Sequence, residues 1–143
     1  MLDTWKVVEE IDPPGVVSGA VFTNDSWRFT IGKGLNDDRY VYRYTPNEGF
    51  TKLFACPDFT GSYLSFDGEH YYFSQWHKGM IHQVDDSGKV FRTIGVGAEI
   101  CGHTFVDGML YVLRQPREQG RSEHSGGVAN RAAKPSRKIT GRR

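Results

Sequence analysis

The chain has 143 residues, 18 Lys and Arg against 17 Asp and Glu, and two cysteines. That length suits one modest domain, and no run approaches the ~20 apolar residues of a membrane-spanning helix. Two cysteines 45 positions apart, Cys56 and Cys101, make neither a disulfide framework nor a zinc motif.

The near-neutral total hides a boundary. All 19 aromatic residues lie between Trp5 and Tyr111. Residues 1–114 carry 10 basic and 15 acidic side chains, whereas 115–143 carry 8 basic and 2 acidic. The first part is an acidic, aromatic-rich body. The second is a basic tail whose only large aliphatics are Val128 and Ile139. Such a tail buries too little apolar surface to offset its conformational entropy, so it is expected to be disordered. The opening residues lack the basic-then-apolar pattern of a secretory signal, and a reducing cytoplasmic setting is expected.

In chain order, Trp5–Ile11 reads as a lone strand. Gly19–Phe29 then holds two apolar runs around Asn24-Asp25, the first of three related hairpins. Arg39–Tyr44 and Phe50–Phe54 follow as strands around a Pro46-Asn47-Glu48-Gly49 turn. The second hairpin, Gly61–Phe73, turns at Asp67-Gly68, and Met80–Val84 and Lys89–Ile94 repeat the strand–turn–strand pattern. The third hairpin, Gly102–Val112, turns at Asp107-Gly108. The leading glycines are 42 and 41 residues apart. Asn, Asp and Gly accept the positive φ of tight hairpin turns. Each unit is therefore four short antiparallel strands, A to D, and a period near 40 with four strands is the signature of a β-propeller blade. A plain meander or sandwich with evenly spaced turns is the competing architecture. The expected fold class is all-β: two and a half four-stranded antiparallel propeller-type blades over 1–114, an incomplete ring, with a disordered basic tail over 115–143.

The run Leu64-Ser65-Phe66-Asp67-Gly68-Glu69-His70-Tyr71-Tyr72-Phe73, continuing through Met80-Ile81-His82-Gln83-Val84-Asp85 to Gly88-Lys89-Val90, resembles a blade of several propeller families. These are the SMP-30/gluconolactonase, NHL-repeat, streptogramin-lyase-like and glutaminyl cyclotransferase-type groups. The resemblance covers about residues 5–114 and implies the blade, not an activity, because these groups share the pattern across unrelated chemistries. Gluconolactonase-type enzymes hold a divalent metal through Glu, Asn and Asp placed before glycines that open A strands. Here those positions are Ser18, Thr60 and Cys101, a poor set for a hard cation, so no metal and no cofactor is expected in these blades.

In an up-and-down blade the B–C and D–A loops share one end, which here collects residues 32–38, 56–60, 75–79 and 95–101. Function concentrates on loops held by rigid strands. The candidate ligand-binding residues are Trp76, His77, Glu99, Cys101 and His103. Trp76-His77 pairs two amphipathic rings that could stack on a ligand, or form a packing indole beside a solvated imidazole. Glu99, Cys101 and His103 fall two apart and so share a side of an extended strand. Cys and His are raw material for thiolate or soft-metal chemistry, though a free Cys is as readily a small buried hydrophobe. No residue is assigned as catalytic. Gly32-Lys33-Gly34 and Gly95-Val96-Gly97 lack the third glycine and following helix of a dinucleotide loop. Tyr40, Tyr42 and Tyr44 alternate on one strand face and read as inter-blade packing.

The sequence therefore points to a propeller-type binding scaffold. The alternative is a partial hydrolase, lyase or cyclotransferase-like enzyme whose site is completed by further blades or a second chain. The blade pattern stops after strand B of the third unit, where composition also changes, as a truncated or frameshifted fragment of a longer propeller protein would show. Open blade edges expose unpaired strands and apolar faces, so self-association is expected. The acidic body and a tail without aromatics argue against nucleic acid as a partner.

Overall fold

The structure is a computed structural model that describes residues 4–34, 38–116 and 136–139. Among these residues are eleven strands in three antiparallel sheets. The first sheet is β1 (Val16–Phe22), β2 (Trp27–Gly32), β3 (Tyr40–Thr45) and β4 (Gly49–Ala55), paired in chain order. A short 3-10 turn at Pro57–Phe59 leads to the second sheet. This is β5 (Leu64–Phe66), β6 (Tyr71–Gln75), β7 (Met80–Val84) and β8 (Val90–Gly95), again in chain order. The third sheet pairs β9 (Glu99–Val106) with β10 (Met109–Gln115), and β11 (Ser136–Ile139) adds to the free side of β10. No helix among the described residues is long and apolar enough to cross a membrane.

The expected blades are present as two complete four-stranded sheets and the A–B hairpin of a third. Two details differ. Residues 4–13 form no strand, and Trp5 is fully exposed. A segment joins a sheet only where a partner strand satisfies its backbone groups, and this one meets none among the described residues. In the basic tail, 136–139 occupies the position of strand C beside β10, with Leu110 opposite Ile139 and Val112 opposite Ser136. Ladder bonds use backbone groups, so this pairing needs no apolar pattern in the tail. The rest of the tail, 117–135 and 140–143, lies outside the described residues.

Strand alternation places one face of each sheet on its neighbour. Val41, Leu64, Tyr71, Phe73 and Val84 form the core between the first and second sheets, with Val21, Leu53, Phe54 and Phe66 packed around them. Tyr72, Ile81, Ile100, Leu110 and Val112 form the core between the second and third. The middle sheet is thus covered on both faces, and β6 is buried along its whole length. Each buried aliphatic or aromatic side chain contributes about 1.5–3 kcal/mol over its exposed state. Close approach fixes the spacing at Gly19, where a Cβ would collide with the Ser62 carbonyl oxygen.

Candidate functional site

The loop end expected to carry function is built around the second sheet. The β6–β7 turn, Trp76–Gly79, is tied by two backbone bonds to the β8–β9 loop and the start of β9. The Val96 N–H donates to the Gly79 carbonyl at 2.7 Å and the Ile100 N–H to the Trp76 carbonyl at 3.0 Å. Gly79 lies at φ 64°, and a Cβ there would stand 2.6 Å from the Ala98 carbonyl oxygen, so only glycine fits this contact. The Trp76 ring meets His77 edge-on at 5.1 Å and remains exposed.

Beside it stands the 57–59 turn. Asp58 and Phe59 are consecutive non-glycine residues in the left-handed region, at φ 52° and 54°. Each costs roughly 1–2 kcal/mol and persists only where its surroundings hold it. Gln75 supplies much of that hold. Its Nε2 donates to the Pro57 carbonyl at 2.8 Å and to Thr60 Oγ1 at 2.7 Å. The Arg39 N–H donates to the Phe59 carbonyl at 2.8 Å. Lys78 pairs with Asp58 across the two loops, and bonding to that ammonium lowers the Asp58 carboxyl below its usual range. The ion pair thus ties the turn bearing Phe59, whose ring is partly exposed beside the Tyr40 ring at 5.9 Å, to the turn bearing exposed Trp76.

Gln75 also orders a histidine. With its amide nitrogen committed to Pro57, Gln75 Oε1 faces His82 Nε2 at 2.8 Å, so Nε2 carries the proton. His82 Nδ1 then accepts from Thr93 Oγ1 at 2.9 Å. Burial, reinforced by Lys78, lowers the His82 pKa. This imidazole is a neutral strut under the loops.

His103 is placed in the same manner. Nε2 faces the Tyr63 carbonyl at 3.2 Å and Nδ1 accepts from Ser65 Oγ at 2.6 Å. Both nitrogens are spent on the second sheet, leaving neither for Cys101. Burial pushes its pKa down to about 4. Cys101 is a half-buried free thiol at the irregularity where β9 and β10 change register. Glu99 lies opposite Gln115 at the end of β9. The structure therefore joins Trp76 and His77, sets Glu99 and Cys101 on the neighbouring strand, and uses His103 to hold sheets together. Cys56 is deeply buried, and desolvation pushes its thiol up to about 12, an unreactive state. Among the described residues no three His, Cys, Asp or Glu side chains stand together as a metal site. Asn36, in the 32–38 loop, lies outside the described residues.

The His103 pKa has a consequence for stability. The unfolded chain takes up its proton near pH 6.5, the folded chain only near 4. The stabilisation from neutral His103 is therefore complete above about pH 6.5 and is lost as pH falls toward 4. Burial is partial, so the loss should be on the order of 2 kcal/mol. Urea melts at pH 7.5 and 4.5 should show it, with a smaller drop in His103→Asn; an equal drop in both proteins would refute the assignment.

The opposite end, which in sequence offers mainly turn residues, holds a cleft of about 480 Å³ between the first two sheets. Arg28, Tyr71, Glu69, Asp85 and Asp86 contribute to its lining. Arg28 is almost fully buried and grips Asp86 through two bonds of 2.8 Å. It also donates to Ser26 Oγ at 2.5 Å and to the Trp27 carbonyl at 3.2 Å, and lies 5.7 Å from the Tyr71 ring centre. The Tyr71 hydroxyl donates to the Asp85 carbonyl at 3.1 Å, and burial raises its pKa. The guanidinium is thus occupied in joining sheets. The sequence signal for it was a charged residue at an inward position of β2, whose partner lies 58 residues away.

Among known proteins, no family model matches the chain and no curated protein matches its sequence. Solved structures do match by fold. The WD40 β-propeller domain of Doa1 superimposes with a TM-score of 0.56 at 15% identity, over 71% of this chain and 35% of that one. A catalytically inactive virginiamycin B lyase from Staphylococcus aureus with quinupristin gives 0.56 at 16% identity, over 72% and 36%. The chain spans about a third of the length of these proteins, and what it shares with them is the propeller fold: it is a partial β-propeller.

Proposed function

We propose that this chain is a propeller-type binding scaffold whose ligand surface is the loop end carrying Trp76, His77, Lys78, Asp58 and Phe59, with Glu99 and Cys101 at its border. The observation that carries this reading is the Asp58–Phe59 turn. Two adjacent left-handed residues are held by Gln75, Arg39 and Lys78, and the Phe59 ring they carry rests on Tyr40 with nearly half its surface open to solvent. Strain maintained at an exposed loop is a mark of a functional surface. Two exposed aromatic rings around an ion pair suit an extended peptide that offers apolar and charged side chains together.

Selection from a random displayed-peptide library tests it. Peptides enriched on the wild-type chain should bind Trp76→Ala at least about 30-fold more weakly, the effect of a buried aromatic anchor. Equal binding to both proteins would overturn the reading. The enzyme alternative rests on likeness of fold alone, which does not carry function. A panel of lactone and peptide substrates, with and without divalent cation, separates the two, since turnover would favour the enzyme.

A further inference from the structure

The three sheets repeat not only their strands but their interfaces. Phe22 opposite Trp27 in the first sheet, Phe66 opposite Tyr71 in the second and Phe105 opposite Leu110 in the third hold the same place in the β-hairpin ladder. In the second and third sheets these pairs lie against the preceding sheet. One residue further along the second strand, the side chain turns toward the following sheet. Arg28 reaches the Tyr71 ring, and Tyr72 lies 4.7 Å from the Phe105 ring. Tyr111 is the third member of that series.

Two faces of the array are left uncovered by the described residues. On the first sheet, Phe22 and Trp27 are 52% and 37% exposed, whereas Tyr71 and Leu110 at the equivalent of Trp27 are 5% and 3% exposed. Phe29, Tyr44 and Phe50 continue this face, in ring contacts of 4.7–6.4 Å. On the third sheet, Tyr111, Leu113 and Val106 are 40%, 42% and 50% exposed, while Arg28 and Tyr72 at the equivalent of Tyr111 are 7% and 6% exposed. Tyr42 and Tyr44, expected to pack between blades, stand opposite Phe29 and Trp27 and so lie on a sheet face with no blade against it among the described residues. The faces are of opposite kind: one receives, the other inserts. Each matches a face that the chain itself already packs twice.

We infer that the two uncovered faces are halves of one interface, and that the chain pairs head to tail with a second copy. The third sheet of each packs on the first sheet of the other, with Tyr111 against Phe22 and Trp27 as Tyr72 packs against Phe105. A two-fold arrangement uses both faces of both copies and closes a ring of six sheets. Such pairing continues the interfaces inside the chain and does not involve the ligand surface proposed above.

Light scattering on the eluted full chain at tens-of-micromolar concentration should give twice the chain mass. Trp27→Asp and Tyr111→Asp change side chains exposed in a single copy, so both should stay folded by near-ultraviolet circular dichroism and elute as single chains. An equimolar mixture should regain a two-chain species joined through one intact interface, because each variant keeps the face that the other has lost. Phe22→Lys and Leu113→Lys provide a second complementary pair if a first variant unfolds. A single-chain mass for the wild type would overturn the inference, as would assemblies longer than two copies, a Tyr111→Asp variant that still pairs alone, or a mixture of folded variants that stays unpaired.

Discussion

Phe73→Ala is expected to lower stability by about 3–5 kcal/mol, the largest single effect in the molecule. Phe73 is fully buried on the central sheet. It packs with Val41, Leu64 and Val84 and lies 6.4 Å from the Phe54 ring and 5.1 Å from His82. Truncation removes the transfer free energy of the ring and leaves a cavity that two sheets cannot jointly close. A small domain has only about 5–15 kcal/mol in total, so the variant should populate unfolded chain measurably at 37 °C. The check is a urea titration at fixed protein concentration, because pairing with a second copy would couple stability to concentration. A loss under about 1 kcal/mol would mean that the first two sheets do not pack as described.

Asp86→Ala should cost about 2–3 kcal/mol, although Asp86 lies in a surface turn. The reason is its partner. Arg28 has only 8% of its side chain exposed, and losing both carboxylate bonds would leave a buried guanidinium with only Ser26 and the Trp27 carbonyl. Asp86 itself is 42% exposed, so water can reach part of the site, which keeps the expected cost below that of a fully buried pair. Replacing both residues, Arg28→Met with Asp86→Leu, should recover most of the loss, because no charge is then left unpaired. A double-mutant cycle in urea separates the outcomes. Additive losses would show that the two side chains do not interact across the sheets.

The contrast between these residues shows what the sequence could reveal. Phe73 sits in a run whose Asp-Gly turn, aromatic strand and 41- to 42-residue recurrence can all be read from the chain itself, and β7 begins and ends where the strand–turn–strand pattern places it, at Met80 and Val84. Arg28–Asp86 joins residues of different sheets, and no local pattern encodes such a partner. The same holds for His103, whose spacing to Cys101 suggested shared chemistry while its real partners, Ser65 and Tyr63, lie about a blade earlier in the chain. The Asp58–Phe59 conformation was equally hidden. Nothing in Cys56-Pro57-Asp58-Phe59-Thr60 demands two left-handed residues; Gln75 and Lys78 hold them from the next blade. The Trp5–Ile11 strand failed for the converse reason: its residues suit a strand, but strands form in pairs. The tail strand, Ser136–Ile139, arises from backbone pairing that composition does not register.

The chain is a repeating array in which one sheet is packed on both faces and two sheets carry an open face among the described residues. Amide hydrogen exchange resolved along the chain reads this difference. The slowest exchange is expected in β6 and β7, Tyr71–Gln75 and Met80–Val84, with β2 and β10 faster and residues 4–13 unprotected. Exchange in β6 and β7 no slower than in β2 and β10, or strong protection of residues 4–13, would contradict it.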